Sequence, residues 1–180
     1  MSYNLLAARS AALAARNSTA KTEEDKAWEG SPFDWFRKKA SSTKGKIGRD
    51  FVTSLLEASG FAVDRVGVGL EANGKTIRVK LSLMWGAGDF TFEQIRETDF
   101  DFLLCLGLYP DSSYGWLIPK SELLVDGVLQ DREGLKGQHG GQDDPNDFWI
   151  TAVNAQNPYR WLEPYGGTTD VLIDVIKSSL

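Results

Sequence analysis

The residues of this chain that could do chemistry are carboxylates, lysines and arginines, because thiols and imidazoles are almost absent. The single cysteine, Cys105, lies inside Leu103-Leu104-Cys105-Leu106, the setting of a small buried hydrophobe. The single histidine, His139, lies in the loop-like run Gly137-Gln138-His139-Gly140-Gly141, and nothing in the sequence brings the two together as nucleophile and base. One cysteine excludes an internal disulfide and a multi-cysteine zinc site. Neither a GxxxxGK[ST] nor a GxGxxG phosphate loop occurs, which removes most nucleoside triphosphatases and dinucleotide enzymes. What remains is concentrated in two places. Arg37, Lys38, Lys39, Lys44, Lys46 and Arg49 follow one another with no acidic residue among them, the most basic stretch of the chain. Such a run is either a solvated surface or a seat for phosphate, and Gly45 and Gly48 would let a ligand come close to the backbone. The second place is Arg78-Val79-Lys80, with Glu71 a short distance upstream.

The elements that must position these groups follow from periodicity. Val66, Val68 and Leu70 alternate with Arg65, Gly67, Gly69 and Glu71; after Asn73-Gly74, Ile77, Val79, Leu81 and Leu83 alternate with Arg78, Lys80 and Ser82. Two period-2 strands joined by Asn-Gly predict a hairpin with a two-residue turn. That turn sets Glu71 opposite Thr76, Gly69 opposite Arg78 and Gly67 opposite Lys80. Upstream, Ser31-Pro32 reads as a helix start. Ile47, Phe51, Val52, Leu55 and Leu56 recur at helical spacing, and Gly60 supplies a stop. Downstream, Phe102–Tyr109 is a nearly continuous apolar run, the pattern of a strand buried on both faces. Gly115–Pro119 and Phe148–Thr151 are further strands, residues 126–147 a long Gly-, Asp- and Gln-rich loop, and residues 168–180 a closing amphipathic helix.

The chain of 180 residues, 42% of them apolar, suffices for one domain, placed at 31–180 behind a peripheral helical arm at 1–30. No apolar run reaches the roughly 18–20 residues of a membrane span, and the Ala-rich start is broken by Arg9 and Arg16, unlike a secretory signal, so a cytoplasmic location is expected. The formal charge of −5 means that any contact with nucleic acid must be a local patch. The element order predicts an α/β (α+β) domain with a central mixed β-sheet flanked by helices.

The order of helix, hairpin, lysine-bearing strand and buried strand resembles that of the PD-(D/E)xK nucleases, the restriction-endonuclease-like fold. The resemblance extends to Gly45-Lys46-Ile47-Gly48-Arg49-Asp50, to Gly74-Lys75-Thr76-Ile77-Arg78-Val79-Lys80-Leu81-Ser82, to Phe92-Glu93-Gln94-Ile95-Arg96 and to Trp116-Leu117-Ile118-Pro119-Lys120, and covers roughly residues 31–165. These segments are similar to a bacterial restriction-type subgroup. The resemblance implies Mg²⁺-dependent hydrolysis of double-stranded DNA, a homodimer suited to cutting both strands, and a possible partner protein in a restriction system. In such chemistry a hard cation on oxygen ligands polarises the phosphate and activates water, while a lysine orients that water and offsets developing charge.

This sequence keeps the lysine, Lys80, and departs at the carboxylates. Arg78 stands where the motif carries Asp or Glu, and Gly69 stands where the hairpin register sets the first carboxylate. Glu71, a diagonal neighbour of Arg78, and Asp50 on the preceding helix are the candidate replacement metal ligands, with Asp64 and Glu93 as further oxygen donors. An Arg78–Glu71 ion pair is the alternative use of that carboxylate. The resemblance therefore leaves two readings, an altered but active nuclease using Lys80, Glu71, Arg78 and Asp50, and a catalytically degenerate relative kept for DNA binding or assembly. Lys44, Lys46, Arg49, Gln94 and Arg96 are the candidate DNA contacts, the last two expected in a helical turn after the second hairpin strand. Trp116, Trp149 and Trp161 are expected in packing roles rather than as base-stacking platforms.

Overall fold

The fold is that of a computed structural model in which residues 2–14, 26–84, 88–137 and 147–180 are described. The helices are α1 (Ser2–Ala14), α2 (Ser41–Ala58) and α3 (Thr169–Ser179). The strands are β1 (Val63–Val66), β2 (Gly69–Ala72), β3 (Lys75–Leu83), β4 (Asp89–Ile95), β5 (Phe102–Leu108), β6 (Ser113–Pro119), β7 (Leu124–Val125), β8 (Val128–Leu129), β9 (Leu135–Gly137), β10 (Phe148–Asn154) and β11 (Gly166–Thr168). The domain is mixed α+β. A six-stranded mixed sheet runs β1-β2-β3-β5-β6-β11, with β3 and β5 parallel and the other neighbours antiparallel.

Strand alternation divides this sheet between two cores. Leu70, Ala72, Ile77, Val79, Leu104, Leu106, Leu108 and Leu117 point toward the three helices. The opposite face turns Leu103, Cys105, Trp116 and Ile118 toward a three-stranded antiparallel sheet, β4-β10-β9. The apolar run at β5 is thus buried on both sides, as its composition predicts. Each fully buried Leu or Phe contributes about 1.5–3 kcal/mol of transfer free energy, so both layers are held chiefly by apolar burial.

α2 lays Ile47, Phe51, Val52, Leu55 and Leu56 on the sheet. Gly48 is the point of closest approach, since a Cβ there would lie 2.9 Å from the Cβ of Leu81. Its smallness serves helix-on-sheet packing rather than access for a ligand. Beyond α2, Gly60 takes φ +96° and the Phe61 N–H bonds the Leu56 carbonyl at 3.1 Å, which ends the helix.

Four expectations are corrected. The Ser31-Pro32 signal starts no long helix: the Phe33 N–H donates to Ser31 Oγ at 3.2 Å, only a short 3-10 turn follows at Asp34–Phe36, and α2 begins at Ser41. Phe33 and Phe36 stack edge-on against Phe51, and burying those rings outweighs a continuous helix. The N-terminal helix is not peripheral, because Leu6 and Leu13 are buried in the helix-side core and Trp35 Nε1 donates to Ser10 Oγ at 2.8 Å. The segment 126–147 is not one loop, since β8 and β9 lie within it and β9 pairs with β10; His139 falls outside the described residues. Gln94 is in β4, not in a helical turn, and Arg96 follows immediately after it. Among the described residues no helix is long and apolar enough to cross a membrane.

Candidate functional site

The hairpin register decides what can face Lys80. Asn73 (φ 50°) and Gly74 (φ 72°) form the expected turn with both central residues left-handed. Leu70 pairs with Ile77, Glu71 with Thr76 and Ala72 with Lys75, so one further step sets Gly69 against Arg78. Paired residues share a face. Asp64, Glu71, Thr76, Arg78, Lys80 and Ser82 therefore lie on the face turned away from the helices. Position 69 is closed to a side chain, because a Cβ there would sit 2.9 Å from the Ile77 carbonyl oxygen.

The same register separates the two candidate metal ligands. Arg65 pairs with Leu70 and so points to the helix side, where its guanidinium holds the carboxylate of Asp50. Arg9 approaches the same carboxylate at 3.9 Å. Asp50 is thus engaged on the helix layer while Glu71 faces the other way, so the structure does not bring the two together. No ion pair joins Glu71 to Arg78 among the described residues, where no group of three or more His, Cys, Asp or Glu side chains converges either. Glu71 instead has Asp64 directly beside it on β1.

Lys80 is positioned by an irregularity in β4. The β4–β10 register shifts between Phe148/Ile150 and again between Ile150/Val153, with Gln94 (φ 53°) and Ala152 (φ 54°) left-handed at the two bulges. The first bulge turns the Gln94 carbonyl out of the ladder, and Lys80 Nζ donates to it. Two residues along the same face, Ser82 Oγ accepts from the Thr91 N–H at 3.2 Å, so β4 is fastened over β3 at two points. Here Gln94 acts through its backbone.

The electrostatics of this face are those of crowded cations. Lys80 is half-buried and its ammonium is pulled down to about 8, first by burial and then by the charge of Arg78. Arg78, also half-buried, is lowered by burial and then by Arg49 and Arg96. Cys105, opposite Lys80 in β5, is fully enclosed, and burial pushes its thiol up, which makes it inert. The carboxylate that opposes these cations is Asp147, whose charge is felt at Lys80 and whose Oδ2 lies 3.9 Å from Arg96 Nε. Asp147 carries no signal in the sequence, where it is one of several aspartates in a polar run.

The structure thus brings together Arg78, Lys80, Gln94 and Arg96. Arg49 comes from α2, reaches the Val68 carbonyl at 3.5 Å and is within electrostatic range of Arg78. Lys44 and Lys46 stay on α2: Lys44 is lowered by burial and by Arg37, and Lys46 is exposed. Trp116 is fully buried against Phe92, with ring centroids 6.3 Å apart, the expected packing role. No family model matches the chain, and no curated protein matches it.

Proposed function

We propose that this protein is a restriction-endonuclease-like relative that binds double-stranded DNA by its phosphate backbone, at a site where cations stand in place of metal-binding carboxylates. The observation that carries this reading is the pairing of two half-buried cations, Arg78 and Lys80, on one strand face, with Arg49 and Arg96 in range. Cations held against one another and out of water are costly, and a phosphate chain relieves both the repulsion and the lost hydration. Gly69, without a side chain, leaves the strand beside Arg78 bare. The attraction is local, as the formal charge of −5 requires.

Fluorescence anisotropy of a short labelled duplex across a salt series tests the proposal. Engagement of about three phosphates gives a log–log slope near −3, and a slope shallower by about one unit is expected in Arg78→Gln. Absence of binding at low salt overturns it.

A magnesium-dependent nuclease is the second reading, favoured by the retained Lys80 and by Asp64 and Glu71 side by side in register. Discrete cuts in Mg²⁺ or Mn²⁺ that disappear in Lys80→Ala would establish it and displace the first. Assembly as a homodimer, or with a restriction-system partner, belongs to either reading.

A further inference from the structure

Asp147 is an unusual counter-ion. Its Oδ2 approaches Arg96 Nε only to 3.9 Å, beyond hydrogen-bonding distance. Its Oδ1 is buried and has no hydrogen-bond partner among the described residues. A carboxylate recruited for structure makes short bonds, as Glu122 does to Arg132 at 2.6 Å in the same molecule. Asp147 makes none among the described residues, although Lys80 lies within its field. A buried oxygen left unpaired loses its hydration without compensation, so its hold on the site is weak.

We propose that Asp147 is a built-in competitor for phosphate: its carboxylate occupies the anion's place beside Arg96 and within the field of Lys80, and a ligand must displace it. The inference rests on the phosphate-binding reading above and adds an affinity threshold to it. A small anion can only exchange with Asp147 at the Arg96–Lys80 end. A phosphodiester chain also reaches Arg78 and Arg49, which Asp147 leaves unpaired, and so gains contacts that the carboxylate does not supply. Displacing Asp147 costs every occupant the same, so isolated anions fall below the affinity needed to fill the site while the polyanionic backbone, with its further contacts, still binds.

The test compares duplex binding by anisotropy, at one salt concentration, for the wild type, Asp147→Asn, Asp174→Asn and Asp147→Asn combined with Arg96→Gln. Asp174 is an exposed carboxylate on α3, on the helix side, and controls for the change in net charge. Asp147→Asn is expected to tighten binding about tenfold, as loss of a close competing charge does. Asp174→Asn should stay within about twofold, and the gain should shrink in the Arg96→Gln background. Added inorganic phosphate should weaken duplex binding by Asp147→Asn more than binding by the wild type. Thermal melting verifies folding, with Asp147→Ser as the replacement if the asparagine variant is unstable. Wild-type binding with a steep salt slope and no gain in Asp147→Asn, or an equal gain in Asp174→Asn, overturns this inference alone. Failure of both the wild type and Asp147→Asn to bind at low salt overturns the phosphate-binding reading as well.

Discussion

Lys80 donates through Nζ to the backbone carbonyl of Gln94, the left-handed residue of the β4 bulge. Two features that look unrelated in the chain, a lysine on a hairpin strand and a glutamine fourteen residues later, are therefore one device. The bulge frees a carbonyl, and the carbonyl fixes the ammonium on the face it shares with Arg78.

Lys80 makes duplex binding pH-dependent. Its proton is lost near 8 in the free protein, under burial, the positive charges of Arg78 and Arg96, and the opposing influence of Asp147 and Cys105. Bound phosphate pulls the proton back on, so affinity should begin to fall above about 8 and lose roughly one unit of salt slope by the time Lys80 is neutral. Lys80→Arg keeps its charge at every pH, and its binding should stay flat over that window. A wild-type profile equally flat would remove Lys80 from the binding face.

Gln94 should be replaceable by glycine without loss of binding, since its carbonyl rather than its side chain meets Lys80. At φ 53° a glycine relieves about 1 kcal/mol of left-handed strain, so Gln94→Gly should melt at or above the wild-type temperature. Gln94→Val, branched at Cβ, should melt below it. A fall in duplex affinity in Gln94→Gly, at undiminished stability, would assign the side chain a direct contact.

Gly69→Ala should destabilise by about 1–3 kcal/mol, because the added methyl meets the Ile77 carbonyl oxygen at 2.9 Å and strand backbone has little freedom to retreat. Chemical denaturation measures this directly. An unchanged midpoint would mean that β2 has room for a side chain opposite Arg78, and that Gly69 could be exchanged for a carboxylate.

Asp101 fastens the start of β3 to β5: its carboxylate accepts from the Thr76 N–H at 2.8 Å, and Lys75 lies 3.2 Å away. These contacts hold its carboxyl below the ordinary value of 3.8, the backbone bond foremost. A group whose folded value is depressed stabilises above its unfolded value and loses that contribution as the pH falls through the folded one. The stability difference between wild type and Asp101→Asn should therefore be greatest near neutrality, below about 1 kcal/mol given its exposure, and should close under acid. A difference independent of pH would assign the effect to geometry rather than charge.

Local signals in this sequence determined the Asn73-Gly74 hairpin, its register, the doubly buried β5 and the closing helix α3, because each depends on alternation or turn chemistry within a few residues. The length of that turn is also enough to set Gly69 against Arg78. What only the tertiary structure decided was the company those residues keep. That Asp50 and Glu71 lie on opposite sides of the sheet follows from how α2 packs, through Gly48 on Leu81 and Asp50 on Arg65. The end of β4 reads as a helical turn because Gln94-Ile95-Arg96 breaks strict alternation, and it breaks it at the bulge that serves Lys80. Asp147 is invisible in the sequence for a simpler reason: a carboxylate becomes a counter-ion only through its distance to charges remote in the chain, and sequence spacing carries no such distance.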